Sequence, residues 1–215
     1  MILSKSVANK TASLLLQIKS IKLNLQSPYT WASGWNSPIY CDNRLTLSYP
    51  EIRTYLKEQL SEVIKKKFPD CDCIAGVATA GIAHGALVAD ALDLPFIYVR
   101  SSPKSHGLTN MIEGKVLEGQ KVVVIEDLLS TGGSSINVVN ALRAVDCKVL
   151  GLVALFTYGF ETAENNFLNA ECPFYTLTDY DVLIKKAVEQ GYVEEADIET
   201  LTAWRMKPAE WSKGL

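Results

Sequence analysis

Between residues 73 and 156 the chain alternates short, almost unbroken apolar runs with stretches of helical periodicity, and this alternation narrows the fold more than any other feature. Cys73–Val77, Pro95–Arg100, Val122–Ile125 and Val149–Phe156 have the length and apolar continuity of buried strands. Ile82–Leu92 and Ser134–Ala144 have the length and spacing of helices. Strands that are apolar on both faces need cover on both faces, and strand–helix–strand order supplies it. The expected fold class is therefore α/β, a mostly parallel central sheet flanked by helices. In such a sheet ligands bind beyond the carboxyl ends of the strands, so the loops there should converge on one crevice.

The flanks are simpler. Residues 4–23 place Val7, Leu14, Leu15, Ile18 and Ile21 at helical spacing, predicting an amphipathic helix. The segment YTWASGWNSPIYCDNR is rich in turn formers and predicts one or two short strands. Residues 50–67 predict a helix with Pro50 at its start and Lys65–Lys67 at its end, where each suits helix geometry and dipole. Residues 101–119 predict a long Gly-punctuated loop, and Asp179 to Trp211 one or two helices, with Trp204 and Trp211 packed against the core or a partner. No repeat or linker divides the chain, so residues 1–215 are expected to form a single domain.

Composition excludes some classes of partner. A net charge of −3 with 21% charged residues leaves no footprint for nucleic acid or an anionic membrane. No apolar stretch approaches the roughly 20 residues that span a bilayer. Cys41, Cys71, Cys73, Cys147 and Cys172 are odd in number and scattered, which argues for reduced thiols and a cytoplasmic protein.

The strongest chemical signal is VVVIEDLLSTGGSS, residues 122–135. An apolar strand runs into two adjacent acids, Glu126 and Asp127. Leu128 and Leu129 lead to Ser130, Thr131, Gly132, Gly133 and Ser134, and a helix begins. Glycines allow close approach of the backbone, and N–H groups at a helix start form an anion site. The carboxylates can accept from two neighbouring hydroxyls or hold a hard cation. A phosphate on one side and vicinal hydroxyls on the other describe a ribose 5-phosphate. A plain strand-to-helix turn capped by Ser134 would need only part of this pattern.

A second signal is RSSPKSHG, residues 100–107. Arg100 ends a strand, Lys104 and His106 stand in the polar stretch after it, and Gly107 and Gly114 follow, so the segment can move. Cations on a lid-like loop suit a pyrophosphate whose charge develops in the transition state. His84 lies within a predicted helix and has no such neighbours.

These blocks carry a resemblance. The acid segment resembles the binding motif for PRPP (5-phosphoribosyl 1-diphosphate) of type I phosphoribosyltransferases, and R-x-x-x-K-x-H-G resembles the catalytic loop of the orotate phosphoribosyltransferases. SGWNSPIYCDNR (33–44) is similar to their N-terminal signature and GVATAGIAHG (76–85) to their pyrophosphate loop. The resemblance implies a type I phosphoribosyltransferase fold with a small N-terminal hood, about residues 1–45. It implies transfer of ribose 5-phosphate from PRPP to orotate, in pyrimidine biosynthesis. It further implies PRPP contacts from Arg100, Lys104, His106 and residues 126–134, with Lys104, His106 and Asp127 catalytic. Ser130 and Tyr40 would contact orotate. Mg²⁺ would be held mainly by PRPP and water and not by the protein, and a homodimer would share the catalytic loop across subunits.

Four positions depart from the family pattern. Ser101 stands where many members carry a second loop Lys, Thr79 and Ala80 where many carry an aromatic–Lys pair, and Ala32 where a Lys precedes Ser–Gly. An Arg that many members place near orotate is missing from GLVALFTYGFE. Two other readings remain at this point: a related transferase acting on a purine or uracil, and a PRPP-sensing regulator. The first is disfavoured by the N-terminal block, the second by the retained Lys104 and His106.

Overall fold

A computed structural model describes residues 1–31, 33–100 and 111–211. In chain order the elements are α1 (Lys5–Gln17), β1 (Ile21–Leu23), β2 (Tyr29–Thr30), β3 (Asn36–Ser37), β4 (Ile39–Cys41), α2 (Pro50–Lys67), β5 (Cys73–Val77), α3 (Ala80–Leu92) and β6 (Phe96–Val99). They continue with β7 (Ile112–Glu113), β8 (Lys121–Leu129), α4 (Gly133–Arg143), β9 (Lys148–Thr157), α5 (Glu161–Asn169), β10 (Phe174–Asp179), α6 (Tyr180–Glu189) and α7 (Asp197–Met206).

The central sheet has the order β10-β9-β8-β5-β6-β7. Every pairing in it is parallel except β6 with β7, so the expected mostly parallel sheet is present with one antiparallel edge. The chain enters at β5, steps to β6 on one side, then returns to lay β8 on the other. That reversal brings the carboxyl ends of β5 and β8 side by side, which is where open α/β sheets bind ligands.

Alternation along β8 explains its apolar run. Val122 and Val124 pack with Val138, Leu142 and Phe167 of α4 and α5, whereas Val123 and Ile125 pack with Leu56, Leu60 and Val88 of α2 and α3. A strand covered on both faces cannot carry a polar residue at either parity until it leaves the core.

Two boundaries differ from the sequence expectation by more than two residues, and β7 pairs with β6 inside the 101–119 stretch expected to be a loop. The first helix stops at Gln17 and not near residue 23: Ile18 caps it, Lys19 turns with φ 57°, and Ile21 buries itself from β1. Burial of Ile21 fits a helical or an extended backbone, so spacing could not separate them. β8 runs on from Ile125 to Leu129 because β9 pairs with it as far as Leu129↔Thr157, carrying both acids within the strand. Between the expected strand at 149–156 and the C-terminal helices lie α5 and β10, which local periodicity did not reveal. No described helix is long and apolar enough to cross a membrane.

The N-terminal segment is tied to the C-terminal one. Ala12, Leu15, Leu16, Ile21 and Ile39 share one apolar cluster with Tyr158, Tyr180, Leu183 and Trp204. Trp204 is fully buried and its indole N–H donates to the Asn36 carbonyl at 3.3 Å.

Candidate active site

The site is built where β5, α3 and β8 meet without side chains between them. A Cβ on Gly76 would lie 2.8 Å from the Gly81 carbonyl oxygen, and one on Gly81 would lie 2.5 Å from the Ile125 carbonyl oxygen. Only hydrogen at these two positions lets the start of α3 sit directly beside the strand that carries the acids. The same Cβ on Gly81 would lie 3.4 Å from Glu126 Cα, so the 78–79 turn, whose Ala78–Thr79 peptide is cis, leads into α3 next to the acid.

Glu126 is buried, and its carboxylate accepts from the Ser135 hydroxyl at 3.2 Å and from the Asp127 amide at 3.1 Å. Burial, with the Asp127 charge beside it, holds the Glu126 carboxyl well above the usual carboxylate range, against the pull of Ser135. Burial also raises Asp127; its interaction with Glu126 and the charge of Arg44 work in the opposite direction. Two adjacent carboxylates in so dry a position are stabilised in the charged form by any ligand that donates hydroxyl hydrogens or brings a cation.

Below the acids, Ser130–Gly132 form the turn into α4. Gly132 caps that helix with φ 79° and no side-chain hydrogen bond, and Ser134, the cap that a plain strand-to-helix turn would have used, stands in the first helical turn. The Thr131 carbonyl accepts from Asn166 of α5 at 2.9 Å, and the Leu129 carbonyl accepts from Thr157 at 3.1 Å, fixing the turn from outside. The first N–H groups of an α-helix have no intrahelical partner, and here they head a turn carrying three hydroxyls, Ser130, Thr131 and Ser134. That arrangement can hold a phosphate.

The hood contributes from a distance in sequence. Asn43, fully buried, donates from its side-chain amide to the Asp127 carbonyl at 2.8 Å. Its own side-chain oxygen accepts from Ser20 at 3.0 Å. The sequence reading missed Asn43, although it lies within the N-terminal signature.

A cavity of about 250 Å³ opens beside the acids, lined by Thr30, Trp31, Tyr40, Cys41, Leu128, Ser130 and Tyr158. Its size is below the roughly 300–1,000 Å³ typical of drug-sized ligands, the scale of one small heterocycle. Ser130 and Tyr40, expected together at a base, line it together. Leu128, expected with PRPP, also lines it. Trp31, Cys41 and Tyr158 were not foreseen there. Burial, with the nearby Asp127 and Asp42 charges, raises the Cys41 thiol well above its ordinary value, so it faces this space as a neutral group.

At the end of β6, Arg100 donates its backbone N–H to Met111 and pairs through its guanidinium with Glu113 at 3.5 Å. Lys104, His106 and Ser101 of the basic loop, like Ala32 of the N-terminal block, lie outside the described residues. Thr79 and Ala80 form the cap and first residue of α3. His84 is buried beside the Thr46 hydroxyl at 3.4 Å, and desolvation lowers it to about 4, a neutral core histidine.

Comparison with known proteins gives concordant results. Residues 46–176 match the phosphoribosyl transferase domain family. An orotate phosphoribosyltransferase of Bacteroides thetaiotaomicron is 55% identical over 210 residues, 98% of this chain and 99% of its own length. The Bacillus subtilis protein of the same name is 53% identical over 204 residues, 94% of each chain. Among solved structures, the Aeropyrum pernix orotate phosphoribosyltransferase superposes with a TM-score of 0.72 at 25% identity, covering 85% of this chain and 98% of that one.

Proposed function

The chain belongs to the orotate phosphoribosyltransferase family, within the phosphoribosyl transferase domain family, and from that premise we propose how its residues perform the transfer. The reaction joins N1 of orotate to C1 of the ribose 5-phosphate of PRPP, releasing pyrophosphate and giving orotidine 5′-phosphate, a step of pyrimidine biosynthesis. The observation that carries the reading is one of adjacency. A buried acid pair, a hydroxyl–glycine turn at a helix start and an aromatic cavity lie around the end of one strand.

The roles follow from the chemistry of each part. Glu126 and Asp127 accept from the ribose hydroxyls, which supply the donors that a desolvated carboxylate pair lacks. The Ser130–Ser134 turn and the start of α4 hold the 5-phosphate. The 78–80 turn at α3 faces the pyrophosphate, with Arg100 at the root of the loop that carries Lys104 and His106. The base enters the cavity that Tyr40 and Ser130 line. Loss of pyrophosphate leaves an oxocarbenium-like sugar, by analogy with glycoside chemistry, so no protein nucleophile is required. Orientation and stabilisation of the leaving charge do the work.

Magnesium suits the donor set. Glu126 and Asp127 offer hard carboxylate oxygens of the kind Mg²⁺ prefers. Glu126 and Asp127 would stand near an ion held mainly by PRPP and water, and such an ion would supply charge neutralisation for the leaving group. A homodimer with the catalytic loop reaching into the partner's site, and a cytoplasmic location in keeping with five free cysteines, complete the proposal.

The test is a spectrophotometric assay of orotate consumption with PRPP and Mg²⁺, with uracil and purine bases in parallel. Orotate turnover abolished by chelation is expected. Turnover of another base but not orotate would replace the substrate, and PRPP binding without turnover of any base would favour a regulatory protein.

A further inference from the structure

Tyr158, immediately after β9, is 2% exposed, and its ring is fixed on every side. It lies 5.1 Å from Trp31, 5.2 Å from Phe156, 5.3 Å from Phe160 and 5.7 Å from Trp204, centroid to centroid. Its backbone N–H donates to the Leu129 carbonyl at 3.1 Å, which locks it to the end of the acid-bearing strand. Yet its hydroxyl makes no hydrogen bond with any described residue. Neighbouring Tyr180, equally buried, donates to the Leu201 carbonyl at 3.0 Å. A buried phenol without a partner is costly, and most find one. The hydroxyl of Tyr158 also escapes the fully enclosed, unpartnered atoms of the core, and the residue lines the 250 Å³ cavity with Ser130 and Tyr40.

The chemistry of that cavity makes the phenol matter. Among the described residues its lining contains no Lys or Arg; the Thr30, Tyr40, Ser130 and Tyr158 hydroxyls, the Cys41 thiol and the Trp31 indole N–H are its polar side-chain groups, and the indole N–H is already donated to the Ile39 carbonyl at 3.1 Å. Among these, Tyr40 is half-exposed at the mouth, whereas Tyr158 is held rigidly in the wall. Burial raises the phenol well above its ordinary value, so it remains a donor throughout the neutral range. A pyrimidine with ring carbonyls and a carboxylate presents acceptors and needs donors.

We infer that the Tyr158 hydroxyl is a specificity-determining group that donates a hydrogen bond to an oxygen of the bound pyrimidine, in a wall whose described residues offer no cation. This rests on the reading of the chain as an orotate enzyme. Because the ring is clamped by four aromatic neighbours, the donor is preorganised and little freedom is lost on binding.

Tyr158→Phe removes one oxygen and keeps the ring, so it tests the donor and not the packing. Steady-state kinetics of wild type and variant, with orotate and PRPP varied separately, and melting curves of both form the experiment. The expected result is an orotate KM raised about tenfold or more, the usual effect of deleting one donor to a polar or charged acceptor. The KM for PRPP should be unchanged, and the melting midpoint unchanged or raised, because the hydroxyl removed has no partner in the unliganded chain. An orotate KM within twofold of wild type would overturn the inference. So would parallel rises in both KM values with a lowered melting midpoint, which would mark a purely structural residue. A wild-type protein that fails to turn over orotate would instead remove the substrate reading, a failure visible before any variant is made.

Discussion

Gly81→Ala offers a sharp test of how the site is assembled. Gly81 lies in the first turn of α3 with an ordinary helical backbone, and replacing a helical Gly by Ala ordinarily favours the helix by about 1 kcal/mol. Here the added Cβ would stand 2.5 Å from the Ile125 carbonyl oxygen, about 0.9 Å short of the 3.4 Å at which ordinary contact begins. The obstacle is backbone in the middle of a six-stranded sheet, so the start of α3 must retreat by most of that distance. Overpacking of this kind costs about 1–3 kcal/mol, which cancels or exceeds the helix gain. The larger effect should be on turnover, because the 78–80 turn moves with the helix. A displacement near 1 Å in a positioning element costs on the order of a hundredfold. Orotate consumption at saturating PRPP, with a melting curve of the same preparation, measures both. A variant more stable than wild type and active within twofold would refute the claim that direct backbone contact between α3 and β8 sets the geometry.

Three further perturbations follow from the titrating and charged groups. Glu126 is held protonated by burial, so in the window between the ordinary carboxylate pKa and its raised one the folded chain binds more protons than the unfolded. Stability in that window falls as pH rises; Glu126→Gln should flatten that decline in melting-point-versus-pH curves while impairing turnover, and an unaltered slope would contradict the desolvation argument. His84 is the opposite case. Its drop from 6.5 to about 4 keeps it neutral when folded, so stability present above pH 6.5 is lost as pH falls toward 4. The loss should approach roughly 3 kcal/mol; denaturant titrations of wild type and His84→Asn at pH 7 and 4.5 should differ in slope, and equal losses would count against it. Lys104→Ala should lower kcat by far more than it raises the KM for PRPP, by tenfold or more if the lysine acts on charge that develops only in the transition state. A kcat close to wild type would reduce it to an anchor.

Much of the site was legible because its parts are neighbours in the chain. Glu126, Asp127 and the Ser130–Ser134 turn follow one another, and a strand, a turn and a helix start are local structures that composition and periodicity can reveal. The same holds for α2 and β5, whose ends at Pro50, Lys67, Cys73 and Val77 coincide with the sequence expectation. Both have unambiguous spacing and clear boundary residues. The end of α1 and the length of β8 were less legible. Ile21 is apolar in either conformation, and the extension of β8 through the acids exists because Ala154, Phe156 and Thr157 of another strand pair with it.

By itself the sequence determined the α/β alternation, the acid-bearing strand and the hydroxyl–glycine turn, since each is dictated by side-chain period and backbone chemistry over a dozen residues. Tertiary structure alone decided what surrounds them. It brought Asn43 to the Asp127 carbonyl across 84 positions and Trp204 to Asn36 across 168. It pressed Gly81 against Ile125 and set Trp31, Cys41 and Tyr158 around one cavity. Such contacts leave no local periodicity, because they are selected by the packing of elements that are adjacent only once the sheet has formed.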